Sequence, residues 1–174
     1  MNISAMRLFL SEDNIKRHLD HLNTLKLRFS ILEKSDPRII RAEISDILQL
    51  KIDRQSKLET IKLLQNIRSH ELYFNSFSQT HRINNKIKQQ FTSRESMLYE
   101  AEVMARTINC GFIYIYINKI GKIEISSDAE EVFINFNPIL ALDMYEHSYF
   151  LDYGFKKDKY IRAALSYFDT DMIK

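Results

Sequence analysis

Apolar positions along the chain fall into two regimes. As far as about residue 110 they recur at the three- and four-residue spacing of helices, and beyond Gly111 they alternate or run together as strands do. Ser11, followed by Glu12 and Asp13, has the chemistry of a helix start, and Ile15, His18, Leu22, Leu25, Phe29 and Leu32 follow at helical spacing. This helix is predicted to run to about Lys34, where Ser-Asp-Pro at 35–37 breaks the pattern. A short helix carrying Ile40, Ile44 and Ile47 comes next, then a second long one over about 55–77 with Leu58, Ile61, Leu64 and Leu72. Residues 78–85 (SQTHRINN) form a polar connection, and Ser93 opens a helix striped by Met97, Ala101, Met104 and Ile108. The runs FIYIYIN (112–118), KIEIS (122–126) and VFINF (132–136) are three strand candidates, with Gly121 marking a turn and Pro138 ending the last. Two short helices, near 145–153 and 157–168, complete the pattern. The expectation is an α+β chain: an N-terminal long-helix hairpin, 1–80, packed on a C-terminal α/β part, 81–174, with a three-stranded antiparallel sheet.

Composition narrows the function classes. A length of 174 residues with 45% hydrophobic content can fill the core of one ordinary domain. Basic and acidic residues, 25 and 23, nearly cancel to +2, and no Lys/Arg block suggests a nucleic-acid footprint. Cys110 stands alone, so an intrachain disulfide is excluded, and a buried structural thiol is the expectation for it. No signal-peptide pattern and no apolar run approaching ~20 residues is present, so a cytoplasmic protein without a membrane partner is expected.

The five histidines, His18, His21, His70, His81 and His147, lack zinc-finger spacing. Asp143 and His147, four residues apart, could aim a carboxylate and an imidazole at one ion from a single helical turn, although such pairs are more often surface hydrogen bonds. His18 and His70 each lie on an apolar helix face, where a satisfied core histidine is the commoner outcome. Three imidazoles and a carboxylate brought together would suit iron, manganese or zinc rather than copper(I). The aromatic strand Phe112, Tyr114, Tyr116 is read as a half-buried sheet face rather than a base-stacking platform.

The string LALDMYEHSYFLDYGFKKDKYIRAALSYF at 140–168 resembles the signature of the iron/manganese superoxide dismutases, whose centre reads Asp-Val-Trp-Glu-His-Ala-Tyr-Tyr and is here DMYEHSYF. SHELYFN at 69–75 resembles the family's Asn-His-Thr-Phe-Tyr-Trp-Asn, Ser11 and His18 reproduce the spacing from helix cap to first ligand, and Asn-Cys-Gly-Phe at 109–112 resembles its Gly-Ser-Gly-Trp turn. The resemblance implies one iron or manganese ion per chain held by His18, His70, Asp143 and His147, superoxide as substrate, and a homodimer. It also implies that Glu146 fixes a ligand histidine of the partner subunit. Leu22 and Lys26 stand where the family carries a histidine and a gateway tyrosine, and Phe150 replaces the tyrosine that reaches that histidine across the dimer. The slots for the family's solvent-binding glutamine hold Asn66 and Ile108. Asn66 is therefore the candidate for orienting bound solvent, and Lys26 for drawing in an anion. The alternatives are a protein of this fold with a structural or assembly role, or one with a different metal-dependent redox activity.

Overall fold

The structure is a computed structural model, and it describes residues 3–80, 82 and 84–174. His81 and Ile83, in the expected polar connection, lie outside the described residues. A short α1 (Ile3–Met6) leads into α2 (Glu12–Ser35), which starts where the Ser11 hydroxyl accepts a hydrogen bond from the Asn14 amide at 3.2 Å. A 3-10 turn over Pro37–Ile39 and the short α3 (Ile44–Gln49) follow; Ile40, expected on a helix, lies outside both and is exposed. The second long helix, α4 (Arg54–Asn75), is capped by Asp53 and packs alongside α2. A helix that hydrophobic spacing did not reveal, α5 (Asn85–Phe91), is started by Asn84, whose side chain accepts from the Ile87 amide at 3.1 Å. Ser93 then caps α6 (Arg94–Thr107) as expected.

The sheet has the order β2-β1-β3, all antiparallel: β1 Phe112–Ile117, β2 Ile123–Ser126, β3 Pro138–Asp143. Gly121, at φ +81°, supplies the turn between β1 and β2, its amide donating to Asn118 O at 2.9 Å. Two strand expectations are corrected. The run at 132–136 is not a strand: Val132 to Asn135 belong to α7 (Ala129–Asn135) and Phe136 caps its end, because Asp128 accepts from the Glu131 amide and Glu130 and Glu131 favour the N-terminal end of the helix dipole. Pro138 opens the third strand instead of ending it. A proline is tolerated there because β3 is an edge strand and Pro138 is its first residue. Nor is the aromatic strand half-buried: Phe112 to Tyr116 are all buried, on both faces, since β1 is the central strand with α6 and α7 packed on it.

After β3 come α8 (Glu146–Tyr153) and α9 (Lys157–Ser166). The segment beyond α9 returns to the end of α4, where the Ser78 amide donates to Tyr167 O and the Asp169 amide to Ser76 O, each at 2.8 Å. Arg94 donates to the carbonyls of Ser166 and Phe168 at 3.0 and 3.1 Å and so closes the end of α9. The main apolar core draws Met6, Leu22 and Phe74 from the helical half and Ile113, Leu142 and Tyr160 from the other; Ile39, Ile44, Ile47, Ile61 and Leu64 form a smaller cluster under α3. Among the described residues, no helix is long and apolar enough to cross a membrane.

Candidate metal centre

Four elements converge where the helical pair meets the sheet. His18 comes from α2, His70 from the last turns of α4, Asp143 from the end of β3 and His147 from the first turn of α8. The single helical turn expected to carry Asp143 and His147 is not what joins them: the carboxylate ends a strand and the imidazole begins a helix. β3 is held in place by the pairing of Phe112 with Asp143 and by the Met144 amide donating to Gly111 O at 2.8 Å.

Aromatic side chains fix the rings. His18 packs against Tyr73 and Phe74 at centroid distances of 5.0 and 4.8 Å, and His70 meets Phe112 edge-on at 5.1 Å. His70 Nδ1 lies 2.7 Å from the Asn66 carbonyl, which can only accept, so Nδ1 carries the proton and the Nε2 lone pair is free to face the cluster. One oxygen of Asp143, Oδ1, accepts from the Tyr145 amide at 2.8 Å. The other, Oδ2, lies 3.0 Å from His18 Nε2, 3.3 Å from His147 Nε2 and 3.4 Å from His70 Nε2, while His70 Nε2 and His147 Nε2 are 3.1 Å apart. Tyr160 braces the strand end from below, donating its hydroxyl to Asp143 O at 2.7 Å.

These donors fit an ion. One donor atom from each of the four residues lies within 4.8 Å of every other. Nitrogen and oxygen ligands about 2.0–2.2 Å from one metal stand roughly 3.0–3.6 Å from each other, the range of the contacts above. His18 Nε2 and Asp143 Oδ2 are buried and, despite their proximity, make no hydrogen bond of acceptable geometry, which is costly unless something else satisfies both. The donor set, three borderline nitrogens and one hard oxygen, suits iron or manganese. Burial raises the Asp143 pKa, but contacts with His147 and His18 outweigh it and hold the carboxyl well below the usual carboxylate range. Burial lowers His70 to about 4, against the attraction of Asp143. Both shifts favour the deprotonated forms that ligate metals.

His18, His70 and Asp143 are fully buried, whereas the His147 side chain is 33% exposed, so the cluster opens to solvent at that edge. Tyr145 stacks on His147 at 5.5 Å. A fourth histidine, His21, was missed as a site residue: its ring lies 4.4 Å from that of His147 and 5.1 Å from that of His70. The signal in the sequence was its place three residues after His18, on the same helix face. Burial, then repulsion from His147 and His18, lowers its pKa.

The remaining site candidates are dispersed around the cluster. Asn66 is half-buried, borders a cleft of ≈ 240 Å³ with Phe112 and Tyr145, and touches the cluster through its carbonyl. Lys26 is exposed and pairs with Glu71 at 2.6 Å. Glu146 is exposed at the start of α8. Leu22 is buried in the core, Phe150 is exposed, and Ile108 ends α6, its carbonyl accepting from the Lys157 ammonium. Cys110 is exposed rather than buried, because it sits in the turn before β1, next to Gly111 at φ +115°.

The sequence model of the C-terminal domain of iron/manganese superoxide dismutases matches residues 79–174, more than half of the chain. The chain belongs to the iron/manganese superoxide dismutase family. It is 31% identical over 105 residues to a superoxide dismutase [Fe] of Cupriavidus metallidurans, covering 55% of this chain and 53% of that protein. To a superoxide dismutase [Mn] 2 of Halobacterium salinarum it is 30% identical over 91 residues, covering 51% of this chain and 46% of the relative. The matches span about half the length of these curated relatives.

Proposed function

We propose that the chain is a superoxide dismutase that holds one iron or manganese ion through His18, His70, Asp143 and His147. The observation that carries the reading is the buried pair His18 Nε2 and Asp143 Oδ2, left without hydrogen bonds at the centre of four converging donors in a chain of this family. When bound, the ion would supply the one-electron exchange by which one superoxide is oxidised to dioxygen and a second, with two protons, is reduced to hydrogen peroxide.

The residues of the chain do the rest. The Asn66 carbonyl sets the His70 tautomer, and we assign the Asn66 side chain, one turn before His70, to orienting solvent in the cleft it borders. Lys26 is assigned to attracting the anion, in competition with Glu71. Glu146 is assigned to the partner's His147 in a homodimer. Support for that association comes from an exposed apolar surface on the same helix and just beyond it: Phe150, Leu151 and the 96% exposed Phe155, whose ring packs on Phe150 at 5.3 Å. The free, exposed Cys110 suits a reducing, cytoplasmic setting.

Elemental analysis after expression with iron or manganese supplied, followed by superoxide kinetics on each form, tests the reading. The expected result is about one ion per chain, lost in His18→Ala, with superoxide consumption above that of the free ion. A folded chain that stays empty would instead support a structural or assembly role, and a loaded but inactive one a different redox chemistry.

A further inference from the structure

Three of the four donors are sealed from solvent, so whatever reaches the cluster does so at the His147 edge. His21 stands at that edge. Its ring is as close to His147 and His70 (4.4 and 5.1 Å) as the rings of the three donor histidines are to one another (4.9–5.4 Å). Its nitrogens nevertheless fall outside the group of mutually close donor atoms, so it lines the cluster without joining it. Among the described residues, neither ring nitrogen of this half-buried imidazole hydrogen-bonds a protein group; its contacts are with the other imidazoles. The next two positions along this face of α2 differ from it: Leu22 is buried in the core, and Lys26 pairs with Glu71.

We infer that His21 is the entrance residue of the centre, donating an imidazole N–H to the small anion that approaches the ion past His147. The inference rests on the dismutase reading and adds to it a residue that contacts substrate. An imidazole suits the position chemically. It offers a directed donor to a monoanion and, unlike an ammonium, does not require a second fixed cation beside a metal. Tilted packing against His147 and His70 holds the ring without occupying its N–H groups.

The test is a titration of the iron-loaded protein with sodium azide, a small monoanion, followed by optical absorption, in the wild type, His21→Ala and His21→Gln. Metal content is measured for each. His21→Ala is expected to retain its iron and to bind azide more weakly, on the order of tenfold, and His21→Gln, which keeps an N–H donor, to recover most of the loss. Unchanged azide affinity in an iron-loaded His21→Ala overturns the inference and leaves the dismutase reading standing. Loss of iron in His21→Ala also overturns it, since His21 would then support the ligands rather than the anion. A wild type that takes up no iron overturns the parent reading and this inference with it.

Discussion

The two halves of the chain contribute to the site by different means. In the helical half, His18 and His70 project from the interiors of two long helices, and their rings are clamped by Tyr73, Phe74 and Phe112. In the other half, Asp143 and His147 lie at the junction of a strand and a helix, where the backbone has no regular pattern and local bonds hold it: Tyr145 N to Asp143 Oδ1, Tyr160 OH to Asp143 O, and Ser148 Oγ to Asp143 O at 3.0 Å. Helical donors inherit their direction from an element that would be regular without them. Junction donors depend on the tertiary fold being complete, because β3 is set by its pairing with β1 and by α4, where the Ala141 amide donates to Ser76 Oγ at 2.8 Å.

The sharpest way to break this arrangement is at the junction. Asp143→Ala removes the only carboxylate of the cluster and is expected to lower bound metal from about one ion per chain to under about 0.1, read by elemental analysis. Packing comes next. Phe74→Ala, on the helical side, should destabilise the chain by about 3–5 kcal/mol in urea unfolding. The proposed division at residues 80 and 81 is one of topology, so we expect this variant to unfold in a single transition, because the main core takes side chains from both parts. Acid has a somewhat smaller effect on the metal-free chain. With the folded His70 pKa at about 4 against 6.5 in the unfolded chain, only the unfolded state takes up the proton between these values. Stability is therefore full above pH 6.5 and falls as the pH drops toward 4, by about 3 kcal/mol from this group. The depressed Asp143 carboxyl acts with the same sign at lower pH, and bound metal, which holds its ligands in their deprotonated forms, should raise stability near neutrality and steepen its fall on acidification. Urea midpoints across that range, with and without metal, check it. Smallest is Ser11→Ala, expected to cost about 1 kcal/mol through the lost cap of α2 while leaving metal content unchanged.

The same contrast explains what the sequence made legible. α2, α4 and α6 were readable because apolar spacing and polar caps at Ser11 and Ser93 agreed. The four residues that the structure brings together were singled out through ordered motifs rather than through spacing, which on its own left His18 and His70 as ordinary core histidines. What failed was local propensity in the second half. The run at 132–136 has strand composition but its first four residues were claimed by a capped helix, and Pro138 reads as a terminator unless it is known that β3 is an edge. The first was decided locally by the Asp128 cap and the acidic first turn, whereas the second follows from which strand sits in the middle of the sheet, and that is tertiary information. His21 escaped for a related reason: three residues from His18 is a helical neighbour in any amphipathic pattern, and only the docking of α8 brings His147 against it.

The donors are also spread over most of the chain, from His18 to His147. During synthesis the two helical imidazoles leave the ribosome long before the carboxylate and the last imidazole, and two imidazoles alone make a poor hold for an ion. On the proposed reading, loading would thus be confined to a chain whose sheet has closed and whose α8 has docked. The ion would then be chosen after the geometry is set, by what the cell supplies at that moment. Scarcity of metal would therefore leave finished but empty molecules rather than arrested ones.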